Sequence, residues 1–352
     1  MLRKIDARIV GTRKLMGVLG LFFYITLYFG VSQWQFSAAD APACGSGINR
    51  AFVFVKPNAM RSEAVELVRT MLHDFKINIV DEGSIDAATI DTEMLIDKHY
   101  GAIASKAVKY APGELVLSAK AKDAFASIFH EDFAGAVAAG RVVNAKDACS
   151  RLGLTEVELS DKWAALTRGV TLVKFGGGFY CGRVDDVYVI NGFYMSMRSM
   201  YVKPPASIQW MAVEWSPATS GLSWADFRAK VVGSTDPATA ARSSIRAALL
   251  EKWQSLGLSS APSVKENGLH ASASPLEALF ERMNWLKLSG FEEDPFFAEL
   301  HAAGVPAARL EQWREDPPVE AWGAGSLFDA LEDSDAEDAI KRLAELHRIS
   351  RK

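Results

Sequence analysis

Within a chain of 352 residues, Lys56, Tyr100, Thr235, Arg246, Asn267 and His270 are the side chains suited to handling a phosphorylated nucleotide. Moving a phosphoryl group requires cationic and hydrogen-bonding groups around its oxygens and a positioned nucleophile, and an imidazole can be that nucleophile. His270 stands in VKENGLHASASPLEALFERMNW, with Asn267 three residues before it, alanine and serine directly after it, and Glu281 on the helix that follows. Small neighbours give a histidine little to pack against, but they leave room for a phosphate. Each residue also has an ordinary structural reading: Lys56 as a strand-end lysine, Arg246 as a solvated helix residue, His270 as a loop histidine.

Other chemistries find less support. The sequence has no GxxxxGK[ST], no HExxH and no GxSxG, which takes support from a P-loop nucleotidase, a zincin and an α/β-hydrolase. The glycines from Gly176 to Gly178 read as a hairpin turn, because no lysine and hydroxyl pair follows them. Cys44, Cys149 and Cys181 are odd in number and widely spaced, so they form neither a disulfide framework nor a CxxC metal pair. A net charge of -4 and the lack of a basic, aromatic-rich stripe argue against nucleic acid as a partner.

The elements that must position these groups follow from periodicity. Ala51–Val55 is an apolar, β-rich run ended by Pro57, a buried strand stopping at a turn. Val65, Leu67, Val68, Met71, Leu72 and Phe75 recur at helical spacing, and KINIV reads as a second strand. A helix over 91–106 carries His99 and Tyr100, and the glycine-centred stretch from Val170 to Ile190 reads as strand, turn, strand. NGFYMSMRSMYV is helical up to Pro204 and Pro205, and SIQWMAVEW alternates as a strand. SWADFRAKVVG has Ser223 as an N-cap and Gly233 at its end; a helix to Leu256, the strand-like VKENGLH and a helix over 274–285 follow. Four strands with helices between them make an α+β sandwich. The last twenty residues place acids first and bases last, as a helix dipole prefers.

In their order, these pieces resemble the nucleoside diphosphate kinase family. FVFVKPNAM is similar to that family's first strand and lysine-proline segment, HY to its tyrosine, VVGSTDPATAARSSIR to its glycine, threonine, proline loop ending in isoleucine-arginine, and NGLHASASPLEALFE to its histidine segment. The resemblance spans about 50–100 and 191–285. It implies a ferredoxin-like four-stranded antiparallel sheet with helices and a γ-phosphate transfer from ATP to nucleoside diphosphates through phospho-His270. By the same resemblance Glu281 orients the imidazole, Ser272 stands beside it, and Tyr100 lies near the phosphorylated ring. Lys56, Thr235 and Arg246 would bind phosphate oxygens, Asn267 the sugar, and Phe193 with Met197 the base. Magnesium would accompany ATP, and a homo-oligomer is left open. The rival reading is a catalytically weak kinase-like binding or scaffold protein at a membrane.

Departures from the family pattern are concentrated in a few places. Asn58 replaces an aspartate and Ala271 a glycine; the arginine expected four residues before Gly233 is Ala229, flanked by Arg228 and Lys230. The domain reading is 50–290 for the kinase-like part, interrupted by an insertion at about 101–190, with a helical extension over 291–352. Residues 1–49 read as a targeting or membrane-anchor segment, since Arg3, Lys4, Arg8, Arg13 and Lys14 precede the apolar run 15–31. A cleaved signal, a retained anchor, a misassigned start and a buried core helix are the alternatives there, and a cytoplasmic location stays beside a membrane-anchored, organellar or secretory one.

Overall fold

The first strand, β1 (Asn49–Val55), explains its own unbroken apolar sequence: both of its faces are covered. Ala51, Val53 and Val55 face the buried side of helix Ser62–Asp74 in one cluster, while Phe52 and Phe54 join Ile90, Leu95, Ile96, Tyr201 and Trp285 in another. The computed structural model describes residues 46–176, 178–319 and 326–350. The apolar run 15–31 and Cys44 lie outside them, and among the described residues no helix is long and apolar enough to cross a membrane.

Around β1 the chain builds a mixed helix and sheet core. The remaining strands in chain order are β2 (Asn78–Asp86), β3 (Val142–Asn144), β4 (Leu172–Gly176), β5 (Phe179–Val184), β6 (Val187–Ile190), β7 (Ser207–Trp215) and β8 (Leu269–Ala271). Four of them form an antiparallel sheet in the order β2-β7-β1-β8. The register sets Phe54 of β1 opposite His270 of β8. The edge strand is short because Gly268, at φ +81, turns the chain immediately before it. A Cβ on Gly268 would meet Leu249 Cδ1 at 2.8 Å, so glycine is required there on two grounds.

A second four-stranded sheet, β3-β6-β5-β4, is drawn wholly from the segment 101–190, with β3 parallel to β6 and the other pairs antiparallel. Its core is aromatic: Phe125, Phe129, Phe133, Phe179 and Tyr188 pack together, with Phe175 against them. Helices Pro295–Ala302, Ala307–Trp313, Leu327–Leu331 and Ala336–Ile349 bury a third cluster against Leu276 and Leu279. Asp335 ties this extension to the core sheet by accepting from Asn49 Nδ2 and Trp224 N, at 2.7 Å each.

Four elements differ from the sequence reading. KINIV is only the start of a strand that continues to Asp86, because β7 offers partners along that whole length. The single helix over 91–106 is instead broken at Met94, a left-handed residue, and again at Tyr100, giving Ala87–Thr92, Leu95–His99 and Gly101–Ala104. That break lets Leu95 and Ile96 turn under Phe52 and Phe54. The Val170–Ile190 stretch makes three strands, with Asp185 at φ 51 supplying a second reversal. VKENGLH contributes only its last two residues to β8.

Candidate active site

His270 is fixed by three neighbours from separate elements. Its ring stacks on Phe54 of β1, with centroids 4.5 Å apart. Its Nε2 lies 2.8 Å from Glu281 Oε1 on helix Pro275–Trp285, whose N-cap is Ser274. Ser272 donates its hydroxyl to the other oxygen of Glu281 at 2.5 Å, and itself accepts from Phe52 N at 2.9 Å. The carboxylate is therefore oriented before it orients the imidazole. Among the described residues no hydrogen bond engages His270 Nδ1, which leaves that nitrogen available.

The third neighbour is His99, which the sequence reading passed over in favour of Tyr100. Its ring meets His270 edge-on at 4.6 Å, its Nδ1 lies 3.7 Å from Glu281 Oε1, and it accepts from Trp285 Nε1 at 3.2 Å. No spacing in the sequence links positions 99 and 270. The available signal was a polar residue ending the apolar helix of Leu95 and Ile96.

Cations sit beside this cluster. Lys56, at the end of β1, has its ammonium pushed down to about 8 by burial and then by the charge of Arg246. Arg246 is itself pushed down to about 10, by burial and then by Arg228. Burial, Lys56 and Arg246 together hold His270 well below the usual imidazole range, so it is neutral at pH 7. Burial and the Glu281 charge push Tyr100 up to about 12, leaving it a neutral phenol. Arg246 donates to Gly233 O at 2.8 Å and Leu269 O at 2.9 Å, tying the loop of Gly233 to β8. Asn267 donates to Thr235 O at 3.1 Å. Two buried atoms in this neighbourhood, Arg246 Nε and Asn267 Oδ1, have no partner.

The structure thus gathers His270, Glu281, Ser272, Lys56, Arg246 and Tyr100, with Asn267 and Thr235 joined at the adjoining loop. Phe193 and Met197 pack at the edge of the cluster of Trp163 and Tyr194, beside Tyr180 and Tyr100. Phe193 lies 5.9 Å from Trp163 and 6.2 Å from Tyr180, both contributed by the segment 101–190.

The position of Ala229 resolves differently from a plain count along the sequence. Residues Phe227–Val232 form a π-helix, in which Gly233 N bonds to Arg228 O at 2.9 Å, five residues back rather than four. Arg228, not Ala229, therefore takes the place that precedes Gly233 by one helical bond, and its charge acts on Arg246. Its guanidinium is held by Glu332 at 2.6 Å and Asp333 at 2.8 Å. Lys230 is paired with Asp226 at 2.8 Å.

No protein-family model matches this chain, and no curated protein does. Among solved structures, the chain is similar to nucleoside diphosphate kinase from Encephalitozoon cuniculi, at 12% identity and a TM-score of 0.32 over 67% of this chain and 87% of that one. The Aquifex aeolicus nucleoside diphosphate kinase matches at 13% identity and 0.33 over 70% and 98%. An NDP kinase from Pyrobaculum aerophilum matches at 18% and 0.30 over 68% and 95%. These are distant likenesses of fold; the chemistry of the site rests on its own geometry.

Proposed function

We propose that this chain is a nucleoside diphosphate kinase that passes the γ-phosphate of ATP to nucleoside diphosphates through His270. The observation that carries this reading is the state of the ring: a neutral imidazole with Nε2 tied to Glu281 and Nδ1 unbonded, under the charges of Lys56 and Arg246. Nδ1 attacks the γ-phosphorus and forms an N–P bond as the bond to the β,γ-bridging oxygen breaks; the electron pair leaves with ADP. A terminal oxygen of the acceptor diphosphate then reverses the step. Glu281 accepts from Nε2–H and balances the positive charge the ring gains, and Lys56 and Arg246 stabilise the charge on the transferring oxygens. Asn267 Oδ1 and Arg246 Nε, both buried and unpartnered, suit a sugar hydroxyl and a phosphate oxygen. Magnesium would arrive on the nucleotide's own phosphates. Glu281 is already bonded to His270 and Ser272, so the ion would be held by the substrate's phosphates rather than by this carboxylate.

The ferredoxin-like arrangement belongs to this reading and is supported by the β2-β7-β1-β8 order with helices after β1 and β7. Base contact is assigned to Phe193 and Met197, so the insertion, through Trp163 and Tyr180, would shape that end of the site. The pairing of Arg228 with Glu332 and Asp333 favours the second reading, a weak catalyst that binds more than it turns over. Incubation with γ-labelled ATP separates the two: acid-labile, base-stable label on the chain is expected, and His270→Ala should abolish it while nucleotide binding persists. Label retained on the variant refutes the assignment.

A further inference from the structure

The carboxylate of Glu281 faces two imidazoles, and it can satisfy only one of them closely. His270 Nε2 takes the 2.8 Å contact; His99 Nδ1 stands 3.7 Å from the same oxygen. One nitrogen of each ring and a carboxylate oxygen all lie within 4.8 Å of one another. Tetrahedral coordination with bonds of about 2.0–2.1 Å sets neighbouring ligands about 3.3 Å apart, a spacing that 2.8 and 3.7 Å bracket. We propose that His99, His270 and Glu281 form a binding site for a borderline divalent transition ion of the Zn2+ class.

The surroundings are built as such a site requires. His99 comes from the end of helix Leu95–His99, His270 from β8 and Glu281 from helix Pro275–Trp285, so three packed elements fix the donors. Phe54 holds both rings, stacked on His270 at 4.5 Å and edge-on to His99 at 5.9 Å. All three side chains are enclosed, with exposures of 5% for His99, 16% for His270 and 11% for Glu281. His99 Nδ1 accepts from Trp285 Nε1, so it already carries the lone pair a metal needs. Ser272 bonds the second oxygen of Glu281 and serves as the supporting partner that holds a ligating carboxylate in place. Three protein donors leave a fourth position open. Two nitrogens and one oxygen select against Mg2+ and Ca2+, which take oxygen ligands. When the ion binds, two metal–nitrogen bonds and one metal–oxygen bond form, the proton on His270 Nε2 is given to solvent while Nδ1 takes one up so that the imidazole stays neutral, and Trp285 loses its acceptor.

The site does not depend on the kinase reading, but it bears on it: an ion on His270 would withdraw the phosphoryl acceptor. Titration of the full chain with Zn2+ in excess Mg2+, without nucleotide, should show one site per chain. Substituting Co2+ should give the visible absorption of tetrahedral coordination and quench Trp285. Ser272→Ala should weaken Zn2+ binding by roughly ten- to hundredfold, the loss typical of a supporting partner, and His99→Gln by more than that. His301→Gln, on the C-terminal helices, should leave it unchanged. Octahedral Co2+ spectra, or Zn2+ affinity unchanged in both His99→Gln and Ser272→Ala, would overturn the proposal. The unsubstituted chain's Co2+ spectrum decides the matter even if a variant fails to fold. Labelling by γ-labelled ATP in excess Mg2+, with a chelator selective for Zn2+ over Mg2+, tests the kinase reading separately.

Discussion

Two Asn-Gly pairs, one in each sheet region, are buried to almost the same degree and treated oppositely. Asn191, 0% exposed, spends its whole side chain: Nδ2 donates to Ile103 O at 3.1 Å and Gly178 O at 2.9 Å, and Oδ1 accepts from Tyr180 N at 2.9 Å. Asn267, 2% exposed, donates once to Thr235 O and leaves Oδ1 without a partner. Buried polar groups are nearly always paired, so the first asparagine is mortar for the segment 101–190, and the second is the one the proposed function gives to a ligand. The same contrast holds for whole regions. The segment 101–190 closes over aromatic rings, whereas the floor of the core sheet keeps Lys56, Arg246, two histidines and Glu281 in mutual electrostatic contact at the expense of stability.

Substitution at the two asparagines should break or confirm this contrast. Asn191→Ala strands Tyr180 N and two carbonyls, at about 1–3 kcal/mol for each unsatisfied group. A fall in stability of about 3 kcal/mol or more is expected by denaturant titration. Asn267→Ala should cost about 1 kcal/mol and instead weaken nucleotide binding; the opposite ranking would make Asn267 structural. Next in size, Arg246→Ala should slow labelling by γ-labelled ATP roughly tenfold to hundredfold, since hydrogen bonds to charged groups are worth about 1.5–3 kcal/mol. A change under twofold would move the phosphate elsewhere.

Lys56 gives a pH test with two opposed signs. Its folded value of about 8 lies below the ordinary 10.5, so between these the unfolded chain binds more protons and stability rises with pH. Over the same window the folded ammonium is lost, and affinity for a phosphate should fall. Thermal midpoints and nucleotide affinity measured from pH 7.5 to 10.5 should therefore diverge, and Lys56→Met should remove that divergence. The smallest effect concerns Arg228, partly exposed like Glu332 and Asp333, for which such pairs contribute about 0–1 kcal/mol. Replacing both acids by alanine should barely shift stability while lowering the nucleotide concentration needed for half-maximal rate. No change in that concentration would leave Arg228 a structural residue.

Much of the core was legible because local and tertiary preferences agree there. FVFVKP declares a buried strand and its stop, SIQWMAVEW coincides with β7, and Ser274 caps the helix that carries Glu281. What escaped depends on contacts that no sequence spacing records. A left-handed Met94 interrupts a helix whose apolar pattern runs on through it, and that interruption is what swings His99 to His270. The partial pairing of VKENGLH follows from the close approach of Gly268 to Leu249, a neighbour on another element. Phe193 and Met197 show the same limit: an apolar pair one turn apart does not reveal whether it faces a base or Trp163.

The π-turn before Gly233 changes the angular register of the residues that flank it. One residue more than an α-turn holds rotates every side chain on one flank by about 100° relative to the other, so Arg228 rather than Ala229 stands one helical bond before Gly233. Deleting Ala229 would restore the ordinary four-residue bond from Gly233 to Arg228 and bring the linear and spatial frames back into step. The helix of Phe227–Val232 thus acts as a frameshift corrected within a single turn.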